Sequence, residues 1–556
     1  MDLNRLLIWF TAASALLLLY RAIQARRKGW ATASFLVLLV TAATATARPG
    51  IGGYVGGGAL GLFILLPLFG YRLLTRWTLE QKYGAAWRLA SALRWLHPAD
   101  GWWESPLLLR ALALGGREAI AEAAAVLQQG GASRTGVGRL SVALLYRMNG
   151  QWEELRQWLE SRLTAEELHS DANMGTLYLR SLGEVGETNA LVAAYGPLSR
   201  ARASEGSWLY RCTSRLMLFA FCGRKAPLAR LLDGPLDPFP PAVKRFWLAT
   251  ADMALGDAEA ARAALEEIRG ACDPLTAAGV ERRLAWPLPV AEEALTPESK
   301  EILDEAEGEL EAEARYGDAP RFVRRRPFAT FALIALNLVA FGLELALGGS
   351  TDIPTLARLG ALVPAAVLDG EWWRALTALF LHYGAVHLAV NMVALLILGP
   401  FLEFAIGAVR YVAVYLVAGV GSMLAIVALA RMGLHGNELV VGASGSVMGL
   451  VGATVAVLLV GWLHLLPSLS GRGRGRVGPG EAQSLPQPSP QPSPWQGEGA
   501  AARVASRRMA VLLFVIGFQV VFDLSTPEVS FTAHLSGAVF GFIAAGLVGR
   551  PHRSEA

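Results

Sequence analysis

Apolar residues are distributed along this chain in two different ways. In three early stretches, at about 4–20, 30–47 and 51–70, they run nearly unbroken for the ~20 residues a helix needs to cross a bilayer core. From about 76 to 320 they recur instead at three- and four-residue spacing among strong helix formers, as in helices that bury one face. Six further apolar segments follow, at about 328–348, 384–403, 410–430, 440–462, 508–524 and 531–549. The pattern predicts an all-α polytopic membrane protein. Its parts would be three N-terminal membrane helices over 1–75, a soluble helical domain over 76–320, and a six-helix membrane unit over 321–556.

In the middle region, glycines between helix-like stretches fall at Gly116, Gly150, Gly186, Gly223 and Gly256, at intervals of 34, 36, 37 and 33 residues. That period is typical of helix-turn-helix arrays, whose pairs bury their apolar faces by stacking on neighbours. The clearest unit runs from Phe246 to Leu255, turns at Gly256 and Asp257, and continues through Ala260, Ala261, Ala264, Leu265 and Ile268. It resembles a degenerate tetratricopeptide repeat, with the Trp, Tyr and Pro positions of the full pattern mostly absent. A plain helical bundle with glycine at its turns is the alternative, and a repeat array would offer a surface to a protein partner.

Composition sharpens the picture. Hydrophobic residues make up 53% and charged residues 17%, and the mean hydropathy is +0.39, which places much of the chain in the lipid bilayer. A net charge of +4 without an aromatic-interleaved basic patch argues against nucleic acid as a partner. Cys212, Cys222 and Cys272 lack metal-ligand spacing and suit a reduced, cytoplasmic compartment. The run from about Ser470 to Ala502, rich in Arg, Gly, Pro, Ser and Gln, predicts a disordered loop. The first segment ends at Arg21, Arg26, Arg27 and Lys28 without a small-residue cleavage site and reads as a retained anchor. Placing the basic clusters on one side gives nine spans, the N-terminus outside, the C-terminus and the helical domain inside. The expected setting is a bacterial inner (cell) membrane.

Polar groups within membrane segments are costly, so they mark function. In the six-segment unit they are few: His382, His387 and Asn391 with the second segment, Ser444 opening the fourth and His534 opening the sixth. A serine hydroxyl needs a neighbouring base to attack a carbonyl, and an imidazole can serve. The resulting oxyanion needs preorganised donors, for which His387 and Asn391, four apart on one helix face, and the Ser444 amide are candidates. Gly445 and Gly449, like Gly537 and Gly541, are four apart and would let the fourth and sixth helices approach closely.

These residues, His382-x4-His387-x3-Asn391, Gly442-Ala443-Ser444-Gly445 and Ala533-His534-x2-Gly537-x3-Gly541, resemble the signature of rhomboid intramembrane serine proteases, as do Trp373-Arg374 and Glu403. The resemblance covers about 326–549 and implies a Ser444/His534 dyad. It implies His387, Asn391 and the Ser444 amide as oxyanion donors, a supporting role for His382, and transmembrane proteins as substrates. Met448 departs from it, standing where the family often has an aromatic packed on the catalytic imidazole. No cofactor is expected. Metal is disfavoured because a five-residue step does not put His382 and His387 on one helix face and His-Glu-x-x-His is absent. Asp523 and Glu528 flank an outer loop and read as solvated, and Trp372 and Trp373 as interface anchors. The rival readings are a catalytically silent rhomboid-like chaperone and a scaffold acting through the helical domain.

Overall fold

The computed structural model describes residues 3–25, 27–97, 100, 102–117, 119–129, 136–200, 208–314, 326–470, 496–525 and 530–548. It is all-α. Among the described residues the extended pairing is a single bridge between Leu362 and Val440. The chain forms two compact units, residues 1–307 and 308–556.

The first unit opens with apolar helices Leu3–Gln24, Lys28–Ala47 and Gly52–Leu79, each long enough to cross a bilayer. Small residues and one amide join them. Asn4 donates to the Pro49 carbonyl at 2.6 Å and accepts the Gly53 amide at 2.7 Å. A Cβ at Gly53 would lie 1.9 Å from the Asn4 carbonyl oxygen, so only glycine allows this approach. Helix pairs follow: Gly136–Met148 with Trp152–Arg162, Ala172–Val185 with Thr188–Arg200, Trp208–Phe221 with Lys225–Asp233, and Pro241–Ala254 with Ala258–Ile268. Each pair turns at a glycine of the predicted period in the left-handed region, with φ of 67° at Gly150, 84° at Gly186, 69° at Gly223 and 94° at Gly256. Gly116 departs from the series. Its φ is −68° and its amide bonds the Leu112 carbonyl at 2.9 Å, so it caps the helix Ser105–Gly115 without entering the left-handed region.

In the second unit, Phe328–Leu347, Ala385–Ile406 and Ala408–Arg431 are long and apolar enough to span, and Ser444–Val460, Met509–Ser525 and Phe531–Leu547 are shorter apolar helices. The protein is therefore a multi-pass integral membrane protein. The loop expected over 470–502 needs correction at its end: residues 496–502 already belong to the helix Gln496–Ser525. Ala500, Ala501 and Ala502 are strong helix formers, which carries the helix beyond its apolar part. The remainder, 471–495, lies outside the described residues.

Two polar side chains tie this unit together. Glu403 is buried near the end of Ala385–Ile406 and accepts the amides of Ala329 (3.0 Å) and Thr330 (2.9 Å) and the Thr330 hydroxyl (2.8 Å). It thus caps the start of Phe328–Leu347, where free N–H groups and the helix dipole favour a carboxylate. In the loop after that helix, Arg374 donates to the carbonyls of Ala357 (2.7 Å) and Ala361 (3.0 Å), pairs with Glu371 and lies over Trp373 at 4.9 Å. Trp373 is held against Gly360, while Trp372 is 74% exposed.

Replacing Glu403 with alanine would strand three donors in a water-poor environment. The expected cost is about 1–3 kcal/mol, to be read as a lower unfolding midpoint of the full chain in detergent, with Glu403→Gln losing less.

Candidate active site

Ser444 stands at the first turn of the helix Ser444–Ser470, whose leading amides have no intrahelical acceptor. The chain reaches it through Gly442, with φ of 128° and its amide donated to Ala378 at 2.9 Å. A Cβ at Gly442 would meet His387 Cε1 at 2.7 Å and Nε2 at 2.9 Å, and would lie 3.8 Å from Ser444 Oγ. Glycine is thus required twice, by conformation and by space, and its bareness lets the His387 ring sit beside the serine.

His387 and Asn391 lie on the helix Ala385–Ile406, four residues apart as expected. Asn391 is buried, and its amide donates to the His387 carbonyl at 3.1 Å rather than outward. His382 is placed differently from the expectation. Gly384, with φ of 85°, ends the helix before it, so His382 sits on a turn and its ring comes back within 5.2 Å of His387. The helical-face argument against their approach therefore does not apply. His382 is fully buried, its amide donates to Glu344 at 2.8 Å, and its Nδ1 lies 3.2 Å from the Phe380 carbonyl.

The Ser444 and His534 helices meet backbone to backbone. A Cβ at Gly537 would lie 2.2 Å from the Gly445 carbonyl oxygen, one at Gly541 1.9 Å from that of Gly449, and one at Gly452 2.0 Å from that of Ala538. The Gly445 site lies 3.5 Å from the Ala533 carbonyl. Gly445 follows Ser444 and Ala533 precedes His534, so this contact sets those two side chains on facing turns. No hydrogen bond joins Ser444 to His534 among the described residues. Met448 packs with Phe401, Val451, Leu458 and Leu512.

The imidazole of His534 is held from another direction. Its Nδ1 lies 2.8 Å from Asp523 Oδ2, and both residues are buried. Gln519 donates to Asp523 Oδ1 at 2.7 Å and lies 3.2 Å from the same Nδ1. This corrects the reading of Asp523 as solvated. The helix Gln496–Ser525 carries Gln519 and Asp523, four residues apart, on the face toward His534. The signal was present in the sequence: an acid and an amide at helical spacing inside an apolar segment. Glu528 lies outside the described residues. With Nδ1–H donated to the carboxylate, Nε2 keeps its lone pair and can accept a proton.

Known proteins agree with this unit. A family model described as the rhomboid domain matches residues 369–471, a stretch that holds His382, His387, Asn391 and Ser444 and ends before His534. The rhomboid protease GluP of Bacillus subtilis (strain 168) is 36% identical over 239 residues, covering 43% of this chain and 38% of that protein. RHOMBOID-like protein 5 of Arabidopsis thaliana is 39% identical over 111 residues, covering 20% and 35%. The rhomboid protease AarA of Providencia stuartii is 29% identical over 142 residues, covering 23% and 50%. The chain thus spans half or less of the length of each of these relatives. No solved structure matches. A membrane unit built on closely packed helices, with polar groups gathered at the start of one of them, thus carries a stretch, residues 369–471, that matches the rhomboid domain and is similar to rhomboid proteases.

Proposed function

We propose that the second unit is an intramembrane serine endopeptidase that hydrolyses peptide bonds in or beside transmembrane helices of other proteins. The observation that carries the reading is the glycine-lined contact that sets Ser444, at a helix start beside His387, on the turn facing His534. Ser444 Oγ attacks the substrate carbonyl carbon as its proton passes to His534 Nε2. The carbonyl oxygen becomes an oxyanion, received by the Ser444 amide and the His387 ring, and by Asn391 once its amide turns from the His387 carbonyl. His534 returns the proton to the leaving nitrogen, which frees one product and leaves an acyl-enzyme. Water, deprotonated by His534, then releases the second product and restores Ser444.

Asp523 acts in this scheme as a positioning residue. By accepting Nδ1–H it fixes the imidazole tautomer and ring plane and stabilises the transient imidazolium. That assigns to a carboxylate the orienting task for which Met448 offers no aromatic ring.

A helix hides its carbonyls in its own hydrogen bonds, so substrates that unwind easily near the cut are favoured. The basic clusters support a topology with the N-terminus outside and the segment after the third helix cytoplasmic, in a bacterial inner membrane. The paired helices of that segment support a tetratricopeptide-like array.

Ser444→Ala should abolish both cleavage of a transmembrane substrate and labelling by a fluorophosphonate, with the unfolding midpoint unchanged. A folded wild-type chain that neither cleaves nor labels would instead identify a silent chaperone or scaffold. Gly442→Ala should lower kcat about 10²-fold or more, because the added methyl displaces His387 from the oxyanion side; labelling rates on folded protein would check it. Asp523→Asn should lower kcat by at least about 10²-fold with KM within about twofold, and Asp523→Glu should recover part of the loss. Equal falls in kcat and thermal midpoint, unrelieved by glutamate, would reduce Asp523 to a packing residue.

A further inference from the structure

The first unit holds a cavity of about 810 Å³, which the last turn of the helix Gly52–Leu79 reaches through Thr78 and Leu79. The first helix of each of the four pairs contributes to its wall, and the helix Pro274–Ala285 closes one side. Stacked helix pairs turn equivalent faces to one concave side, so a continuous site arises from separate repeats.

The charges on this wall do not balance. Arg147, Arg180 and Arg282 line the cavity together with one acid, Glu281, whose two oxygens are taken by Arg269 at 2.7 and 2.8 Å. Behind the wall, the fully buried Glu184 pairs with Arg180 and stands 3.0 Å from Arg283 and 3.5 Å from Arg282. One buried carboxylate, Glu184, therefore serves three guanidiniums. Among the described residues Arg147 is exposed and forms no ion pair, and the Nε atoms of Arg180, Arg282 and Arg283 are buried without a hydrogen-bond partner. Burial alone would raise the Glu184 carboxyl, and the three arginines overcome it and hold it below the usual carboxylate range. Burial, with Arg283 and Arg147 adding to it, pushes the Arg180 guanidinium down to about 10, still charged at neutral pH.

Partly desolvated cations that share one counter-charge are costly, and an entering carboxylate offsets that cost through charge-assisted bonds. The rest of the wall is apolar and aromatic: Arg180 lies over Trp247 at 4.3 Å and Phe246 at 5.5 Å, which fixes its fork beside hydrophobic surface. A phosphate-rich ligand is a poorer match. The helix start that reaches the cavity, at Leu275 and Thr276, already gives its amides to Asp273 at 3.0 and 3.3 Å, so those amides are not free to cradle a phosphate.

We infer that this cavity binds an extended protein segment that presents carboxylates between apolar side chains, with Arg147, Arg180 and Arg282 as its recognition residues. The site is separate from peptide-bond hydrolysis and stands whether or not the second unit is a protease.

The test uses the full chain carrying Ser444→Ala in detergent micelles, so that no probe is cut. Binding of a fluorescein-labelled peptide of four Leu-Glu repeats is followed by anisotropy, with four Leu-Gln repeats as the control. The acidic peptide should bind at least about tenfold more tightly than the amide control, and less tightly as salt rises. Arg147→Glu and Arg282→Gln should each weaken it several-fold with the unfolding midpoint unchanged. Arg147 is the decisive variant because it is exposed and unpaired, so its loss leaves the fold intact. Equal binding of the two peptides, no saturable binding below about 1 mM, indifference to Arg147→Glu, or displacement by inorganic phosphate as readily as by unlabelled acidic peptide would each overturn the assignment.

Discussion

The candidate site of this molecule depends on direct backbone contact between the helices that begin at Ser444 and Phe531. Lipid gives helices no hydrophobic reason to associate, so they adhere through close packing, and closeness is limited by whatever stands on the facing Cα atoms. Here Gly445, Gly449 and Gly452 on one helix face Gly537, Ala538 and Gly541 on the other; an added Cβ at Gly452, Gly537 or Gly541 would fall inside the facing carbonyl, and one at Gly445 or Gly449 would collide with Ser422 or Ala418. The contact is continuous for several turns, so it fixes rotation as well as distance. Rotation decides whether the first residue of one helix and the fourth of the other face the same space.

Around that contact, buried polar groups do the joining that apolar packing in lipid cannot. Glu403 takes the free amides at the start of Phe328–Leu347, Arg374 gathers loop carbonyls at its far side, and Glu344 receives the amide of His382. Each is a charged or polar side chain answering backbone groups that would otherwise lack partners in a water-poor setting. The His382 turn is held in this way, and through it the position of His387.

Much of this was legible in the sequence, and the physical reason is clear. Spans announce themselves because a bilayer demands about 20 apolar residues, and helical spacing fixes which residues share a face, as with His387 and Asn391. The glycine period in the first unit marked four real turns because a left-handed residue there is a local demand, and local demands are written locally. What sequence spacing could not carry was the fold of short turns. His382 was judged by helix geometry although Gly384 takes it off the helix, and Asp523 was judged by its nearness to a loop although its helix turns it inward. The charge imbalance around Glu184 was equally hidden, because Glu184 and Arg283 are 99 residues apart and meet only in the stacked array.

Asp523 and Met448 are best understood together. An imidazole acting as a base must be kept from rotating, and either a flat ring stacked on it or a hydrogen bond to its far nitrogen will do this. The fourth-helix residue that could stack is Met448, which has no ring and packs with Phe401 and Leu512. The hydrogen bond is supplied instead by Asp523, itself fixed by Gln519 one turn earlier. A carboxylate does more than a ring, since it also selects which nitrogen carries the proton and favours the charged form that appears in the transition state. It also brings a cost, because a buried acid in lipid must never be left without its partner. In this geometry the aspartate and the histidine satisfy each other, so the group that would tune the base is also one the fold requires.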